Sequence, residues 1–225
     1  MNTEGLIFDF DGLIIDTEGP IFQSWQELYQ SYGCQLSLKD WGNIIGTAEA
    51  TFDPARELEK LVGEPLDWST IEVGRKKRET ELIERLQPLP GVAATLLAAR
   101  KQGLKVALAS SSSCEWVTGH LRRLGLIQYF DCIVASDDVR RTKPDPELFL
   151  QALNRLGISA SQAVVFEDSP NGVLAANRAG IFAVAVPSEL TRNLRLDHAD
   201  LRLDSLADFD LEAFLEGIEL RKSAG

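Results

Sequence analysis

With 225 residues and 44% apolar side chains, the chain is long enough for one large domain, or for a core carrying a smaller insertion, and can bury a sizeable interior. A formal net charge of −11 excludes a protein that tracks a nucleic-acid backbone, which needs a basic face to displace counterions; a small anionic substrate stays open, because one site can be locally positive on an acidic chain. No apolar stretch reaches the ~18 residues of a membrane span, and the start MNTEGLIF has neither the basic nor the long apolar region of a secretion signal, so no membrane partner and a cytoplasmic location are expected.

The chain opens on GLIFDFDGLIIDTE, residues 5–18. Its short apolar run reads as a buried strand, followed by Asp9 and Asp11 and then by Gly12, which frees the backbone to turn. Residues i and i+2 of an extended chain face one side, so both carboxylates can enter one small volume. Asp and Gly beside an apolar run are also the makings of an ordinary strand-ending turn. Next, Ile21, Phe22, Trp25, Leu28, Tyr29 and Tyr32 fall at helical spacing over 19–33, with Thr17 placed to cap the helix and Gly33 to end it. Shorter helical patterns cover 37–45 and 54–62, and a fourth runs over 69–86. No convincing strand lies between 16 and 86, and Gln87-Pro88-Leu89-Pro90-Gly91 reads as a linker. A helical cap domain, 16–87, inserted into a core made of 1–15 and 88–225, is the expected organisation.

After the linker, helical patterns at 92–102, 115–124, 146–156 and 171–179 alternate with apolar strands at 104–109, 132–135, 163–166 and 181–186. A further strand at 201–203 and a helix at 210–220 close the chain. Such alternation predicts an α/β fold, a doubly wound, Rossmann-like parallel sheet buried on both faces. The three cysteines, Cys34, Cys114 and Cys132, lack paired metal-like spacing and are expected to be small buried hydrophobes.

Polar residues fall where such a sheet would present them. Asp9 follows the first strand, Ser110 follows LKVALA, Lys143 lies in the loop after CIVAS, and Glu167-Asp168 follow AVVF. Ligands of open parallel sheets bind beyond the carboxyl ends of the strands, near the point where strand order reverses. Two carboxylates ~5 Å apart at an effective dielectric of ~20 repel by ~3 kcal/mol, so a cluster of Asp9, Asp11, Glu167 and Asp168 requires protons or a cation. Hard oxygen donors with no His or Cys nearby suit Mg²⁺, which shares ligands readily with phosphate. Lys143 adds a fixed positive charge, and Ser110 with the backbone that follows it, from Ser111 on, offers an anion cradle at a helix N-terminus. A carboxylate nucleophile, a second acid, a metal, a lysine and a hydroxyl anion site together point to phosphoryl transfer through an aspartyl-phosphate. Ser110 could instead cap the next helix, Lys143 could be an exposed loop lysine, and Asp16 reads as a helix cap or hinge residue.

The segments FDFDGLIIDTE, VALASSSS, RRTKPDPE and VVFEDSPNG resemble, in order and spacing, the four motifs of the haloacid dehalogenase-like hydrolase superfamily. The branch most similar has a small helical cap after the first motif and holds sugar-phosphate phosphatases and β-phosphoglucomutase. The resemblance implies that Asp9 attacks phosphorus and that Asp11 protonates the leaving oxygen and later activates water. It implies that Ser110 and Lys143 bind the phosphoryl group. Mg²⁺ would be held by Asp9, the Asp11 backbone carbonyl and the pair Glu167-Asp168, with Asp168 the direct ligand and Glu167 either a ligand or an orienting group. Asn171 and Gly172 would shape the acidic loop. In the cap, Ile45-Gly46-Thr47 resembles the substrate-facing loop, and Gly46 would mark close approach to ligand. The mutase branch has a His where this chain has Ile21 and a cap Arg where it has Ala48 or Glu49, which favours simple hydrolysis over the mutase alternative.

The basic run Arg75-Lys76-Lys77-Arg78 reads as a solvated face, one member of which could instead reach a second phosphate or a sugar acid. Trp25 and Trp41, placed to stack on a sugar, have the spacing of core residues. The expectation is a monomeric Mg²⁺-dependent phosphatase of a small phosphorylated metabolite. A receiver-type signalling domain would need only ~120 residues and no insertion, and a true dehalogenase would have no use for Asp11 or the acidic pair.

Overall fold

In chain order the elements of the computed structural model are β1 (Gly5–Phe8), α1 (Glu18–Ser31), α2 (Leu38–Trp41), α3 (Pro54–Val62), α4 (Trp68–Ile83), α5 (Val92–Lys101), β2 (Lys105–Ala109), α6 (Cys114–Arg123), β3 (Cys132–Val134), α7 (Glu147–Leu156), β4 (Ala163–Glu167), α8 (Pro170–Arg178), β5 (Phe182–Ala185), β6 (Leu201–Arg202) and α9 (Leu211–Ser223). The structure describes residues 3–41, 52–192 and 194–223. Two compact units result: Met1–Ile15, Gln87–Ser188 and Leu194–Gly225 form one, and Asp16–Leu86 with Glu189–Asn193 the other.

The first unit is built on a six-stranded sheet of order β3-β2-β1-β4-β5-β6, parallel at every pairing. All of β1 and β4 is buried, as apolar runs with no polar face require. In register, Ile7 lies beside Ala107 and Val165, and Phe8 beside Leu108 and Phe166. Alternate residues face opposite ways. Ile7, Ala107, Val165 and Ala183 pack in one cluster with Leu148 and Phe149 of α7 and Val173 of α8; the alanines there leave room for the helices to seat closely. On the other face Phe8 stacks on Phe166 with ring centroids 5.0 Å apart, and Phe166 meets Phe209 at 5.6 Å. Full burial of each such ring is worth about 1.5–3 kcal/mol. The sheet order reverses beside β1, so the ends of β1, β2 and β4 share one crevice.

Local chemistry moves several expected boundaries. Leu104 is expected to open the second strand, but its N–H bonds to the Ala99 carbonyl at 3.0 Å and closes α5, so β2 starts at Lys105. Thr17 makes no side-chain cap bond to α1; the cap is Asp16, whose Oδ1 accepts from the Gly19 N–H at 3.2 Å. The cysteines are not the buried residues expected: Cys114 is exposed and Cys34 and Cys132 are half-buried, all as free thiols. Cys114 starts α6, where the chain turns outward after the Ser113 cap.

The second unit holds α1 to α4. Asp53 caps α3 by accepting from Ala55 and Arg56, Pro54 starts the helix, and Gly63 ends it in the left-handed region at φ 84°. Glu59 ties α3 to α4, its Oε1 accepting from Trp68 Nε1 at 2.8 Å. Trp25 and Trp41 are core residues, as their spacing predicts: Trp25 packs 6.0 Å from the Trp68 ring and Trp41 5.4 Å from Phe22. The basic run is the solvated face expected of it at Lys76 and Lys77, which are exposed, but not at its two arginines. Arg75 turns inward, donating to both Glu72 oxygens at 2.7 and 2.9 Å, to Glu79 at 2.5 Å and to Ser24 of α1 at 3.1 Å, with its guanidinium 4.7 Å from the Trp25 ring. Arg78 reaches back to Glu27 of α1 through two bonds of 2.7 and 3.0 Å.

Candidate active site

The Asp9 N–H donates to the Phe166 carbonyl at 3.0 Å, extending the β1–β4 ladder by one residue and holding the first carboxylate beside β4. The chain then turns tightly: Ile14 N–H reaches the Phe10 carbonyl at 2.8 Å and Gly12 N–H the Ile15 carbonyl at 2.8 Å. Phe10 between the two acids is fully buried, while Asp9 is buried and Asp11 half-buried. Gly12 cannot be replaced at this turn without strain. Its φ is +87°, and a Cβ there would overlap the Asp168 carboxylate. Gly172, at the start of α8, stands in the same relation to Glu167.

Lys143 comes from the loop between β3 and α7, and its side chain is only 5% exposed. Its Nζ donates to Asp9 Oδ1, to Glu167 Oε1 at 2.6 Å and to the Ala109 carbonyl at 2.8 Å, which uses all three ammonium donors. Burial works against the Lys143 charge, but Asp9 and Glu167 outweigh it and raise its pKa. Burial pushes the Asp9 carboxyl up to about 7, Lys143 opposes that rise, and Glu167 and Asp11 add to it. Asp9, Glu167 and Asp168 each place a carboxylate oxygen within 4.8 Å of the others, all three buried. Three buried acids against one ammonium is an excess of negative charge, and an all-oxygen donor set of this size fits a hard divalent cation such as Mg²⁺.

The acids have different surroundings. Glu167 Oε1 is taken by Lys143, and Oε2 accepts from the Ser169 N–H at 2.9 Å and the Ser169 hydroxyl at 3.0 Å, so both its oxygens already serve protein donors. Ser169 also caps α8. Asp11 is held from the β2–α6 segment: Oδ2 accepts from Ser112 Oγ at 2.6 Å and Ser110 Oγ at 3.4 Å, and Oδ1 from Trp116 Nε1 at 3.1 Å.

The structure therefore brings Asp9, Asp11, Ser110, Lys143, Glu167 and Asp168 to one sheet edge. Ser110 is not the cap of α6; Ser113 is, accepting from the Trp116 N–H at 3.3 Å. The Ser110 side chain is buried and accepts from the Ser112 N–H at 3.0 Å. Ser111 is exposed and Asn171 half-buried, and among the described residues no hydrogen bond joins either to the cluster. Gly46, Ala48 and Glu49 lie outside the described residues. Sequence reasoning missed Ser112, Trp116 and Ser169. Ser112 sits in a run of four serines that offers no way to choose among them, and a helical tryptophan reads as core.

The family model described as haloacid dehalogenase-like hydrolase matches residues 6–186. The Bacillus subtilis protein YhcW, to which phosphatase activity is ascribed, is 44% identical over 213 residues, covering 95% of this chain and 96% of YhcW. A Thermotoga maritima phosphatase of phosphorylated carbohydrates is 37% identical over 183 residues, 79% of this chain and 82% of that protein. A Thermotoga maritima crystal structure ascribed to a β-phosphoglucomutase superposes with a TM-score of 0.77 at 29% identity, covering 96% of this chain and 99% of that one.

Proposed function

This chain belongs to the haloacid dehalogenase-like hydrolase family and is a hydrolase of phosphate monoesters, and from that premise we propose that it dephosphorylates a small phosphorylated carbohydrate through an aspartyl-phosphate on Asp9. What carries the reading is the meeting of Asp9, Asp11, Lys143 and the acidic pair at the carboxyl ends of β1 and β4, from segments as far apart in the chain as Asp9 and Asp168. The name of the Thermotoga relative supports the carbohydrate class.

In the first half of the reaction an Asp9 carboxylate oxygen forms a bond to phosphorus as the ester P–O bond breaks. The bonding pair stays on the leaving oxygen, which takes a proton from Asp11. In the second half water attacks the phosphorus, Asp11 takes the water's proton, and Asp9 is released with inorganic phosphate. Lys143, its three donors committed to Asp9, Glu167 and the Ala109 carbonyl, keeps Asp9 aimed and adds positive charge beside the phosphoryl group, whose oxygens the Ser110 hydroxyl binds. Asp9, Asp168 and the Asp11 backbone carbonyl would hold Mg²⁺, which supplies positive charge against the phosphoryl group. Glu167, with both oxygens committed to Lys143 and Ser169, orients these groups rather than coordinating. The helical unit serves as the cap, and the chain acts as a monomer in the cytoplasm. Among the described residues no helix is long and apolar enough to cross a membrane.

The test is a phosphate-release screen over sugar, nucleotide and small-acid monophosphates, with Mg²⁺ and with chelator. Mg²⁺-dependent release, greatest on sugar phosphates, is expected; full activity in excess chelator would overturn the metal assignment, and preference for nucleotides would overturn the substrate class. The similarity to the Thermotoga mutase-like structure makes isomerisation of glucose 1-phosphate the second reading, assayed in the same screen.

A further inference from the structure

We propose that Trp116 is a positioning residue that decides which oxygen of Asp11 carries the acid proton, an inference that rests on the reading of Asp11 as acid and base. Trp116 lies in the first turn of α6, and its indole N–H donates to Asp11 Oδ1 at 3.1 Å. The other oxygen, Oδ2, faces two hydroxyls, Ser112 Oγ at 2.6 Å and Ser110 Oγ at 3.4 Å. The two sides are not equivalent. An indole N–H can only donate, so Oδ1 has to remain an acceptor whether or not Asp11 is protonated, whereas a serine hydroxyl rotates and accepts as readily as it donates. With the proton on Oδ1, the indole would be left donating to a hydroxyl oxygen, a poorer acceptor than the carbonyl oxygen it meets when the proton is on Oδ2. The hydrogen bonds thus favour the acid proton on Oδ2, on the side of Ser110, the group that anchors the phosphoryl oxygens.

The indole is itself fixed. His120, one turn along α6, packs edge-on against it with centroids 4.5 Å apart and planes at 73°, and His120 lies 6.2 Å from the ring of Phe10. Phe10 is the residue between Asp9 and Asp11, so α6 and the catalytic turn are joined through a ring contact as well as through the hydrogen bond. Placing the donor on a helix gives it less freedom than a loop would. During transfer to Asp9 the Oδ2–H bond breaks and its proton goes to the ester oxygen, which keeps the electron pair of the breaking P–O bond. In the hydrolytic half Oδ2 takes the proton from water, so a single oxygen serves both directions.

The leaving group separates positioning from mere support. A sugar alkoxide needs the proton from Asp11, whereas p-nitrophenolate leaves without it. Trp116→Phe keeps an aromatic ring and removes the N–H. Its kcat/KM on a sugar phosphate is expected to fall about 10- to 100-fold, against less than about 3-fold on p-nitrophenyl phosphate. Asp11→Ala should show the same selectivity, and the double variant should lose no more than Asp11→Ala alone. Equal losses on both esters, or none, overturn the inference. A wild-type chain that releases phosphate from neither ester overturns the reading of the site on which the inference rests. A second measurement leaves the indole in place: the assigned Trp116 indole N–H resonance should move upfield in Asp11→Ala, and an unmoved resonance overturns the contact itself.

Discussion

Asp9 and Glu167 share one ammonium, and the consequences of that sharing are specific to single residues. Asp9→Asn should lower phosphate release by at least about 10³-fold, because an amide is a poor nucleophile, while the fold is retained; steady-state turnover with circular dichroism checks both. Lys143→Met should be worse for stability than for any other part of the site. It leaves two buried carboxylates without their partner, at about 3–5 kcal/mol, and thermal melts should show it as a lowered Tm alongside lost activity. The acidic pair should divide by role. Asp168→Asn should raise the Mg²⁺ concentration needed for half-activation far more than Glu167→Gln does, since Glu167 already serves Lys143 and Ser169 with both oxygens.

Helix α4 is fastened to α1 by Arg75 and Arg78, so in a run of like charge that reads as solvent-facing the two lysines face solvent and the two arginines are inter-helix ties. Arg75→Ala removes five donors and the stem packed on Trp25, and should destabilise the helical unit by about 1–3 kcal/mol without raising KM. Glu72 and Glu27 are held below their ordinary value of 4.5, chiefly by hydrogen bonds from Arg75 and Arg78 respectively. The unfolded chain therefore binds more protons than the folded one in this window. The stability these pairs contribute is complete above that ordinary value and is lost as pH falls through the depressed values. Melts taken from about pH 6 down to about pH 3 should show the loss in wild type and a flatter profile in Arg75→Ala.

For the molecule as a whole, a cation that binds the folded site alone must stabilise the fold. Saturating Mg²⁺, at about 100 times its Kd, should raise Tm by about 5–10 °C, and chelator should reverse the shift; Asp9→Ala should abolish it. That response needs no substrate. The sequence by itself determined the chain order of strands and helices, the helical insertion after the first strand, the placing of Asp9, Ser110 and Glu167-Asp168 just past or at strand ends, and that of Lys143 in the loop after β3. Those features are local: apolar periodicity within ten residues marks an element, and a parallel sheet puts every such end on one edge. Tertiary structure alone decided which groups touch. Trp116 reaches an acid 105 positions away, Arg75 folds inward onto Ser24 at a distance of 51, and Glu189–Asn193 joins the helical unit. Such contacts depend on how helices seat on the sheet and on each other, and a residue's pattern along its own element says which way it faces but not what stands opposite.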